Sequence, residues 1–138
     1  YPPLHLLRRF YPMSSPTACR FSDSHEWFLL NGDVVKIGIS QFAANELTDI
    51  TYVEMQPVGT SINIGDSAGE VESVKTTSDV VSAFSGEIIE VNETVTEDPA
   101  LLNTDPYGEG WLIKVRIENP QDGDSLMDHT IYDEKYPV

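Results

Sequence analysis

The sequence predicts a mainly β fold: a flattened antiparallel β-sandwich or barrel with short peripheral helices and a C-terminal helix. From Phe21 onwards, short runs of alternating apolar and polar residues are separated by turn-forming residues, which is typical of β-strands. No long helical segment lies between these runs, and short evenly spaced strands favour antiparallel sheets. With 138 residues, 40% of them hydrophobic, the chain is long enough to bury one core.

The first predicted hairpin joins Trp27–Leu30 to Val34–Ile39 through Asn31-Gly32-Asp33, because an Asn-Gly pair favours the tight turns of hairpins. Further strands are predicted at Ile50–Met55, Ser61–Ile64, Gly69–Val74, Val80–Ala83, Gly86–Val91 and Trp111–Ile117. Turns between some of them are expected at Gly65-Asp66, Lys75–Asp79 and Ser85-Gly86.

Three short helices are predicted around these strands. Ser40 is expected to cap a helix from Gln41 to Leu47. A one-turn helix begins at Asp98-Pro99, where the missing N–H of proline costs nothing. Ser125–Tyr136 has apolar residues at helical spacing and is predicted as a terminal helix that packs back on the strands. No linker divides the pattern, so we expect a single domain over residues 21–138.

The charge is unevenly distributed along the chain. Residues 1–22 carry three arginines and no acid, whereas the remainder carries five basic and 23 acidic residues, a net charge of −18. A protein body with this net negative charge repels nucleic acids and anionic membrane surfaces. We therefore expect neither as a partner. No stretch approaches the ~20 apolar residues of a membrane span. The single cysteine, Cys19, excludes an internal disulfide and a cysteine-based zinc site.

Residues 1–20 contain arginines, serines and scattered leucines but no acids, which is typical of a mitochondrial transit peptide. We therefore expect a transit-peptide remnant, and with it a location in the mitochondrial matrix. The alternatives are a flexible upstream extension ahead of Met13 and a bacterial cytoplasmic protein.

Lys75 is the residue of greatest chemical interest. It lies in a predicted polar turn between two extended runs, with Glu70, Glu72 and Asp79 as its charged neighbours. An isolated lysine on a hairpin often serves only to protect a sheet edge. The same turn would suit a covalent carrier, because a rigid turn presents the amine to a modifying enzyme. Acylation with a long chain would give an arm of about ten bonds, roughly 14 Å long. The pattern alone leaves both interpretations open.

The segment Glu72-Ser73-Val74-Lys75 with Ser78-Asp79 resembles the lipoyl-attachment motif of glycine cleavage H proteins. The family also has a glycine sixteen residues before the lysine and one eleven after it, which correspond here to Gly59 and Gly86. The resemblance extends from about Phe21 to the C-terminus through His25-Glu26-Trp27, Gly38-Ile39, Gln41-Phe42-Ala43, Leu47-Thr48-Asp49-Ile50, Val58-Gly59, Ser85-Gly86-Glu87, Val91-Asn92 and Pro106–Lys114.

The chain departs from the family pattern beside the lysine. Thr76-Thr77 stands where the family usually has smaller residues, and Val81 and Ala83-Phe84 replace a usual tyrosine or asparagine and a Ser-Pro pair. Threonines keep a small polar turn, so we expect lipoylation to proceed, although they could change how the arm packs.

The resemblance implies a lipoyl-domain fold of the barrel-sandwich hybrid type and a carrier rather than an enzyme, with no catalytic residues. Lipoic acid would be attached covalently to Lys75, and a lipoyl ligase or transferase would attach it. The carrier would take the aminomethyl group of glycine from glycine decarboxylase to aminomethyltransferase, and its electrons to dihydrolipoamide dehydrogenase. By position in the family, a cleft for the loaded arm would include Ser24, Glu26 and Asp79, with Thr76 or Thr77.

Two other functions remain open at this stage. A biotin carrier shares the fold but ordinarily has Met-Lys-Met at the turn, where this chain has Val74-Lys75-Thr76. An accessory H-like protein that relays lipoyl groups, or is itself a regulatory lipoylation target, would carry the same motif. We expect no metal site, because the acids of Asp122–Asp128 lack the calcium-loop pattern and the histidines have no ligand partners in sequence reach.

Overall fold

The computed structural model describes residues 15–138, which form nine strands, four short α-helices and one 3-10 helix. The strands are β1 (Arg20–Phe21), β2 (Glu26–Asn31), β3 (Val34–Ile39), β4 (Ile50–Met55), β5 (Ser61–Ile62), β6 (Ser67–Ser73), β7 (Thr77–Val81), β8 (Gly86–Val91) and β9 (Ile113–Ile117). The helices are α1 (Gln41–Leu47), α2 (Glu93–Glu97), α3 (Leu101–Thr104) and α4 (His129–Lys135), and the 3-10 helix is Pro120–Ser125.

The strands form two antiparallel sheets. The larger has the order β1-β2-β3-β9-β8-β5, and the smaller has the order β4-β6-β7. The hairpin β6–β7 therefore lies at one edge of the smaller sheet, and Lys75 lies in its turn. The predicted fold class, mainly β with antiparallel sheets and a C-terminal helix, is confirmed.

The core lies between the two sheets. Its largest cluster draws on most of the strands and helices α1–α3, with Val35, Ile37, Val53, Val71 and Ile88 almost fully buried. A second cluster, made of Cys19, Phe21, Trp27 and Tyr132, fixes α4 against the first hairpin. The stacked rings of Phe21 and Tyr132 lie 4.4 Å apart, so the C-terminal helix is an integral part of the fold.

The two family glycines are required for different reasons. Gly59 has a φ of +95°, a conformation that disfavours residues with a side chain, and its surroundings are open. Gly86 stands where β8 passes β9, and a Cβ there would lie 2.1 Å from the carbonyl oxygen of Arg116. Both residues shape the sheets rather than the site.

Several predicted boundaries are wrong, and the most instructive error is at the Lys75 turn. A turn over Lys75–Asp79 and a strand over Val80–Ala83 were expected, whereas β7 begins at Thr77 and ends at Val81. The turn is shorter because the Ser73 side chain closes it within two residues, which lets strand pairing resume at Glu72 and Thr77. Thr77 and Asp79 therefore lie on a strand.

Other differences concern the helices. The helix α2 was not predicted; Asn92 caps it by accepting a hydrogen bond from the Thr94 N–H. The expected terminal helix over Ser125–Tyr136 is shorter: it begins at His129, where Asp128 caps it, and Ser125 instead ends the 3-10 helix. Within the described residues, no helix is both long and apolar enough to cross a membrane.

The domain boundary expected between residues 20 and 21 stays a prediction, because residues 1–14 lie outside the described part of the chain. Residues just before the boundary contact the domain. Cys19 is buried, and burial raises the pKa of its thiol to about 11. The Ser15 hydroxyl donates to Asp133 on α4 at 2.6 Å. Part of the segment expected to be an extension therefore packs on the fold.

Candidate functional site

The Lys75 turn is the two-residue loop Val74-Lys75 together with its flanking residues Ser73 and Thr76. The Ser73 N–H donates to the Thr76 carbonyl at 2.8 Å. The Ser73 hydroxyl oxygen accepts the N–H groups of both Lys75 and Thr76, each at 3.1 Å. Because the Ser73 side chain holds two backbone N–H groups and its own N–H closes the loop, the turn is fixed while the Lys75 side chain stays exposed.

The Lys75 turn is also fixed from outside, by the segment that leads from α1 to β4. The Val74 N–H donates to the Asp49 carbonyl at 3.0 Å. The Lys75 ammonium donates to the Glu46 carbonyl at 3.2 Å, near the C-terminal end of α1, where free carbonyls attract cations. Val74 itself is 69% exposed at the tip. The arrangement supports the backbone of the turn and leaves both of its side chains accessible from solvent.

Glu26 lies in a different setting, since it is 1% exposed. Its Oε1 atom accepts hydrogen bonds from the hydroxyls of Ser22 at 2.7 Å and Ser24 at 2.5 Å, and its Oε2 atom accepts the Val81 N–H at 3.0 Å. Burial raises the pKa of the Glu26 carboxyl, while the hydrogen bonds from Ser22, Ser24 and Val81 oppose that rise. The carboxyl group thus links the larger sheet to the end of β7.

Glu26 is placed by the turn that precedes it, which we call the His25 turn (Ser22–Glu26). The His25 N–H donates to the Ser22 carbonyl, and the Glu26 N–H donates to the Ser22 hydroxyl, each at 3.1 Å. His25 has a φ of +76°, the left-handed conformation that usually requires glycine in such three-residue loops. The conformation costs about 1 kcal/mol for a residue with a side chain, so neighbouring contacts must hold it.

The structure distributes the five predicted arm-cleft residues along β7 and its two ends. Ser24 is exposed and bonded to Glu26, at the end of β7. Thr76 and Thr77 are exposed at the other end of β7, beside Lys75. Asp79 lies between these groups on β7, exposed, with its carboxylate 3.4 Å from the Ser67 hydroxyl. All five residues therefore lie along one strand and its ends.

Asp79 also lines a cavity of about 300 Å³ on the smaller sheet. In the strand register it pairs with Glu70, which in turn pairs with Glu54, so the three carboxylates form a row across the strands. The cavity wall is completed by Met55, Gln56, Pro57, Ser67 and Gly69. A cation that enters this cavity would meet three acids in one row.

Distances along β7 can be compared with the length of a lipoyl arm. At about 3.3 Å per strand residue, Asp79 lies roughly 13 Å from Lys75 and Val81 roughly 20 Å from it. An arm of roughly 14 Å that follows the strand would bring its tip to Asp79, two residues before Val81, to which Glu26 is bonded. The exposed lysine, the unobstructed Thr76-Thr77 and the acidic cavity thus fit a lipoyl group of this length.

Sequence reasoning missed the groups that hold the site. The carbonyls of Glu46 and Asp49 and the N–H of Val81 are backbone atoms, which no residue pattern reveals. Ser73 could have been found, because a serine two residues before the turn tip commonly accepts backbone N–H groups. The left-handed His25 could not, since glycine or asparagine would be the expected residue there.

Comparison with known proteins agrees with this geometry. The family model described as "Glycine cleavage H-protein" matches residues 19–137. The glycine cleavage system H protein of Carboxydothermus hydrogenoformans is 46% identical over 118 residues, which cover 86% of this chain and 91% of that protein. The mitochondrial glycine cleavage system H protein 2 of Arabidopsis thaliana is 45% identical over 113 residues, 82% of this chain and 72% of that protein.

A solved structure gives the same result at the level of the fold. The crystal structure of a glycine cleavage system H protein from Mycobacterium marinum superposes with a TM-score of 0.82 at 35% sequence identity, covering 90% of this chain and all of that one. Similarity in sequence and in fold therefore extends over most of the described residues, and the family predicted from the sequence is confirmed. The chain belongs to the glycine cleavage H-protein family.

Proposed function

We propose that this chain is a lipoyl carrier of the glycine cleavage system and that Lys75 is its attachment site. The observation that carries the proposal is the Lys75 turn: an exposed lysine in a turn whose backbone is fixed by the Ser73 hydroxyl and, at Val74, by the Asp49 carbonyl. A modifying enzyme needs such an amine, because a rigid turn presents it in one position and leaves it free to react.

When attached, the lipoyl group supplies a sulfur that carries the aminomethyl group and a dithiol that carries two electrons. The chain's own residues hold and shelter this group. The Glu46 carbonyl, which accepts a hydrogen bond from the Lys75 ammonium, can equally accept one from an amide N–H at the same nitrogen. It would thereby direct the start of the arm.

The far end of the arm would lie beside Asp79, roughly 7 Å along β7 from the strand end that Glu26 holds. The cargo carries an ammonium group, and exposed Asp79 in its row of carboxylates provides an opposite charge at arm's length. Glu26 would act from beneath the surface, where its charge is less screened than in water, and Ser24 connects it to the surface. Thr76 and Thr77 flank the start of the arm and offer hydroxyls to it.

Shelter matters because the loaded arm can react with water. Hydrolysis would break the carbon–sulfur bond and yield the thiol, formaldehyde and ammonium. Residues that hold the ammonium group against the protein keep water away from the reactive carbon. The proposed role of Ser24, Glu26 and Asp79 is therefore to lengthen the lifetime of the cargo.

Membership of the glycine cleavage H-protein family also indicates which proteins would be partners of this chain. They would be glycine decarboxylase, aminomethyltransferase and dihydrolipoamide dehydrogenase, with a lipoyl ligase or transferase for the modification, and the chemistry would occur on those enzymes rather than here. Relatives occur in bacteria and in plant mitochondria. We propose the mitochondrial matrix for this chain on the basis of its basic, acid-free N-terminal segment.

Reconstitution tests the proposal. Purified glycine decarboxylase, aminomethyltransferase and dihydrolipoamide dehydrogenase are combined with the lipoylated chain, tetrahydrofolate and NAD+, and glycine-dependent NADH formation is followed. We expect activity with the wild type and none with Lys75→Arg, because the arginine guanidinium, with a pKa above ~12, is a poor nucleophile and does not become acylated. Lys36→Arg, on the other sheet, is the matched control and should keep full activity. Activity of Lys75→Arg equal to the wild type would contradict the proposal.

A further inference from the structure

The C-terminal helix and the residue that follows it, Tyr136, contact the His25 turn in two places. Lys135 and Tyr136 bond to the exposed Asp23 at its surface. The buried Tyr132 bonds to His25. Tyr132 is 1% exposed, and its oxygen lies 2.8 Å from His25 Nδ1. The same oxygen lies 2.6 Å from the Ser40 hydroxyl, which in turn accepts the Ala43 N–H at the start of α1. Three segments distant in sequence thus meet at one buried oxygen, which the function proposed above does not use.

His25 needs these contacts because its backbone conformation is unfavourable. Its ring is enclosed by the aromatic rings of Phe42, Tyr132 and Tyr136, and the Tyr136 ring lies 4.5 Å away. Its carbonyl accepts the Ser40 N–H at 2.9 Å. A positive φ on a residue with a side chain persists only when such surroundings fix it. The side-chain contacts of His25 are therefore what keep the His25 turn in its observed shape.

The shape of the His25 turn decides where Glu26 lies. Two of the three groups that donate to the Glu26 carboxyl, the hydroxyls of Ser22 and Ser24, belong to the same turn and move with it. Only the Val81 N–H belongs to the strand that leads to Lys75. The position of Glu26 relative to β7 therefore depends on how the whole turn is anchored, and Tyr132 is the buried anchor of that turn, through His25.

We propose that Tyr132 is a positioning residue for the arm shelter: its hydroxyl holds His25, and through it the His25 turn, so that the Glu26 carboxyl stays bonded to the end of β7. The proposal rests on the proposed function for its biological meaning, since it gives Tyr132 a part in protecting the cargo. Its structural content, the coupling of Tyr132 to the Glu26–Val81 bond, can be tested without a lipoyl group.

The variants are chosen to change one hydroxyl at a time. Tyr132→Phe removes the central oxygen but keeps the ring that stacks on Phe21. Tyr136→Phe is the matched control: it removes a hydroxyl at the end of the same helix that also bonds to the His25 turn, at the exposed Asp23 (3.1 Å), but it leaves the bond between Tyr132 and His25 in place. His25→Gly tests the link from the other side: glycine accepts the positive φ, so the backbone is relieved while the ring contacts are lost.

The first measurement is amide hydrogen exchange by NMR on the unlipoylated protein. In Tyr132→Phe and in His25→Gly we expect the Val81 amide to exchange about fivefold faster or more, relative to the Leu112 amide, which bonds to the Ile37 carbonyl in the larger sheet. Tyr136→Phe should leave the ratio unchanged. The proposal would be overturned if the ratio stayed unchanged in both Tyr132→Phe and His25→Gly. Without any acceleration, the Glu26–Val81 bond would not depend on Tyr132 or His25. With equal acceleration of both amides, the variants would only lower the general stability.

The second measurement links the coupling to function. Wild type, Tyr132→Phe, Glu26→Gln and the double variant are lipoylated, loaded with glycine decarboxylase and separated from it, and formaldehyde release is followed. We expect both single variants to release it several-fold faster, and the double variant to release it no faster than Glu26→Gln. Faster release from Glu26→Gln but not from Tyr132→Phe would overturn the positioning role alone. No effect from Glu26→Gln would contradict its proposed sheltering role, while the exchange experiment would still decide the coupling.

Discussion

The two turns that carry the candidate site are built alike and serve opposite purposes. Both close antiparallel hairpins, and in both a serine hydroxyl accepts backbone N–H groups, from Lys75 and Thr76 in one and from Glu26 in the other. The Lys75 turn leaves its key side chain exposed, whereas the His25 turn buries the side chain of Glu26 to 1% exposure.

The difference lies in what holds each turn. The Lys75 turn is fixed through backbone atoms and one serine, so the lysine side chain is not needed for stability and is available for chemistry. The His25 turn uses an unfavourable φ and is fixed by the side chains of His25 and Tyr132. A residue that must be presented is thus held by its backbone, and a residue that must be hidden is held by the side chains around it.

Replacement of Glu26 is expected to have the largest effect of the variants that probe this contrast. Glu26→Gln keeps the shape of the side chain but removes its charge, and its amide nitrogen cannot accept a hydrogen bond as the carboxylate oxygen does. A charge-assisted bond contributes about 1–3 kcal/mol, so formaldehyde release from the loaded form should rise several-fold while lipoylation proceeds normally. Glu87→Gln, an exposed glutamate on β8, is the control. Equal rates in wild type and Glu26→Gln would remove Glu26 from the shelter.

Replacement of Ser73 should have a moderate effect, on presentation rather than on shelter. Ser73→Ala leaves the N–H groups of Lys75 and Thr76 without their acceptor, and each such bond contributes about 1 kcal/mol. The turn would become mobile, and the initial rate of lipoylation by purified ligase should fall a few-fold. Ser78→Ala on the same hairpin is the control, since its hydroxyl lies 3.5 Å from the Asp79 carbonyl, at the limit of a hydrogen bond. A Ser73→Ala variant modified as fast as Ser78→Ala would show that the turn needs no such support.

The smallest expected effect is a pH dependence of stability. Burial raises the pKa of Glu26 in the folded state above its value in the unfolded chain, so the folded state binds this proton more tightly. The stabilisation from this group is therefore present in acid and is lost as pH rises through the raised pKa. The free energy of unfolding of the wild type should fall relative to that of Glu26→Gln as pH rises from about 4 to about 7, as measured by urea unfolding. A relative gain for the wild type over this range would contradict the account.

The sequence predicted the larger features well because they rest on local chemistry. The hairpin at Asn31-Gly32-Asp33 and the capped helix from Gln41 to Leu47 have the predicted positions, and the fold class and family are confirmed. A Gly-containing turn and a Ser cap are determined by residues within a few positions of one another, so a pattern can show them.

The parts that could not be predicted depend on contacts between distant segments. Nothing in the residue order shows that Tyr132 meets His25, 107 residues away, or that Glu26 accepts the N–H of Val81, 55 residues away. The burial of Glu26 and the left-handed conformation of His25 follow from these contacts. The role of Lys75 stays a prediction for a different reason, since attachment of a lipoyl group is a chemical event that a fold permits but does not record.

The measurement that tests the central claim most directly is the intact mass of the chain after co-expression with a lipoyl ligase and supply of lipoic acid, followed by peptide mapping. The account predicts that the wild type gains the mass of one lipoyl group, carried by the peptide that contains Lys75, and that Lys75→Arg gains none while remaining folded. A lipoyl group found on Lys36, Lys114 or Lys135, or a wild-type chain that stays unmodified while a known H protein is modified under the same conditions, would contradict it.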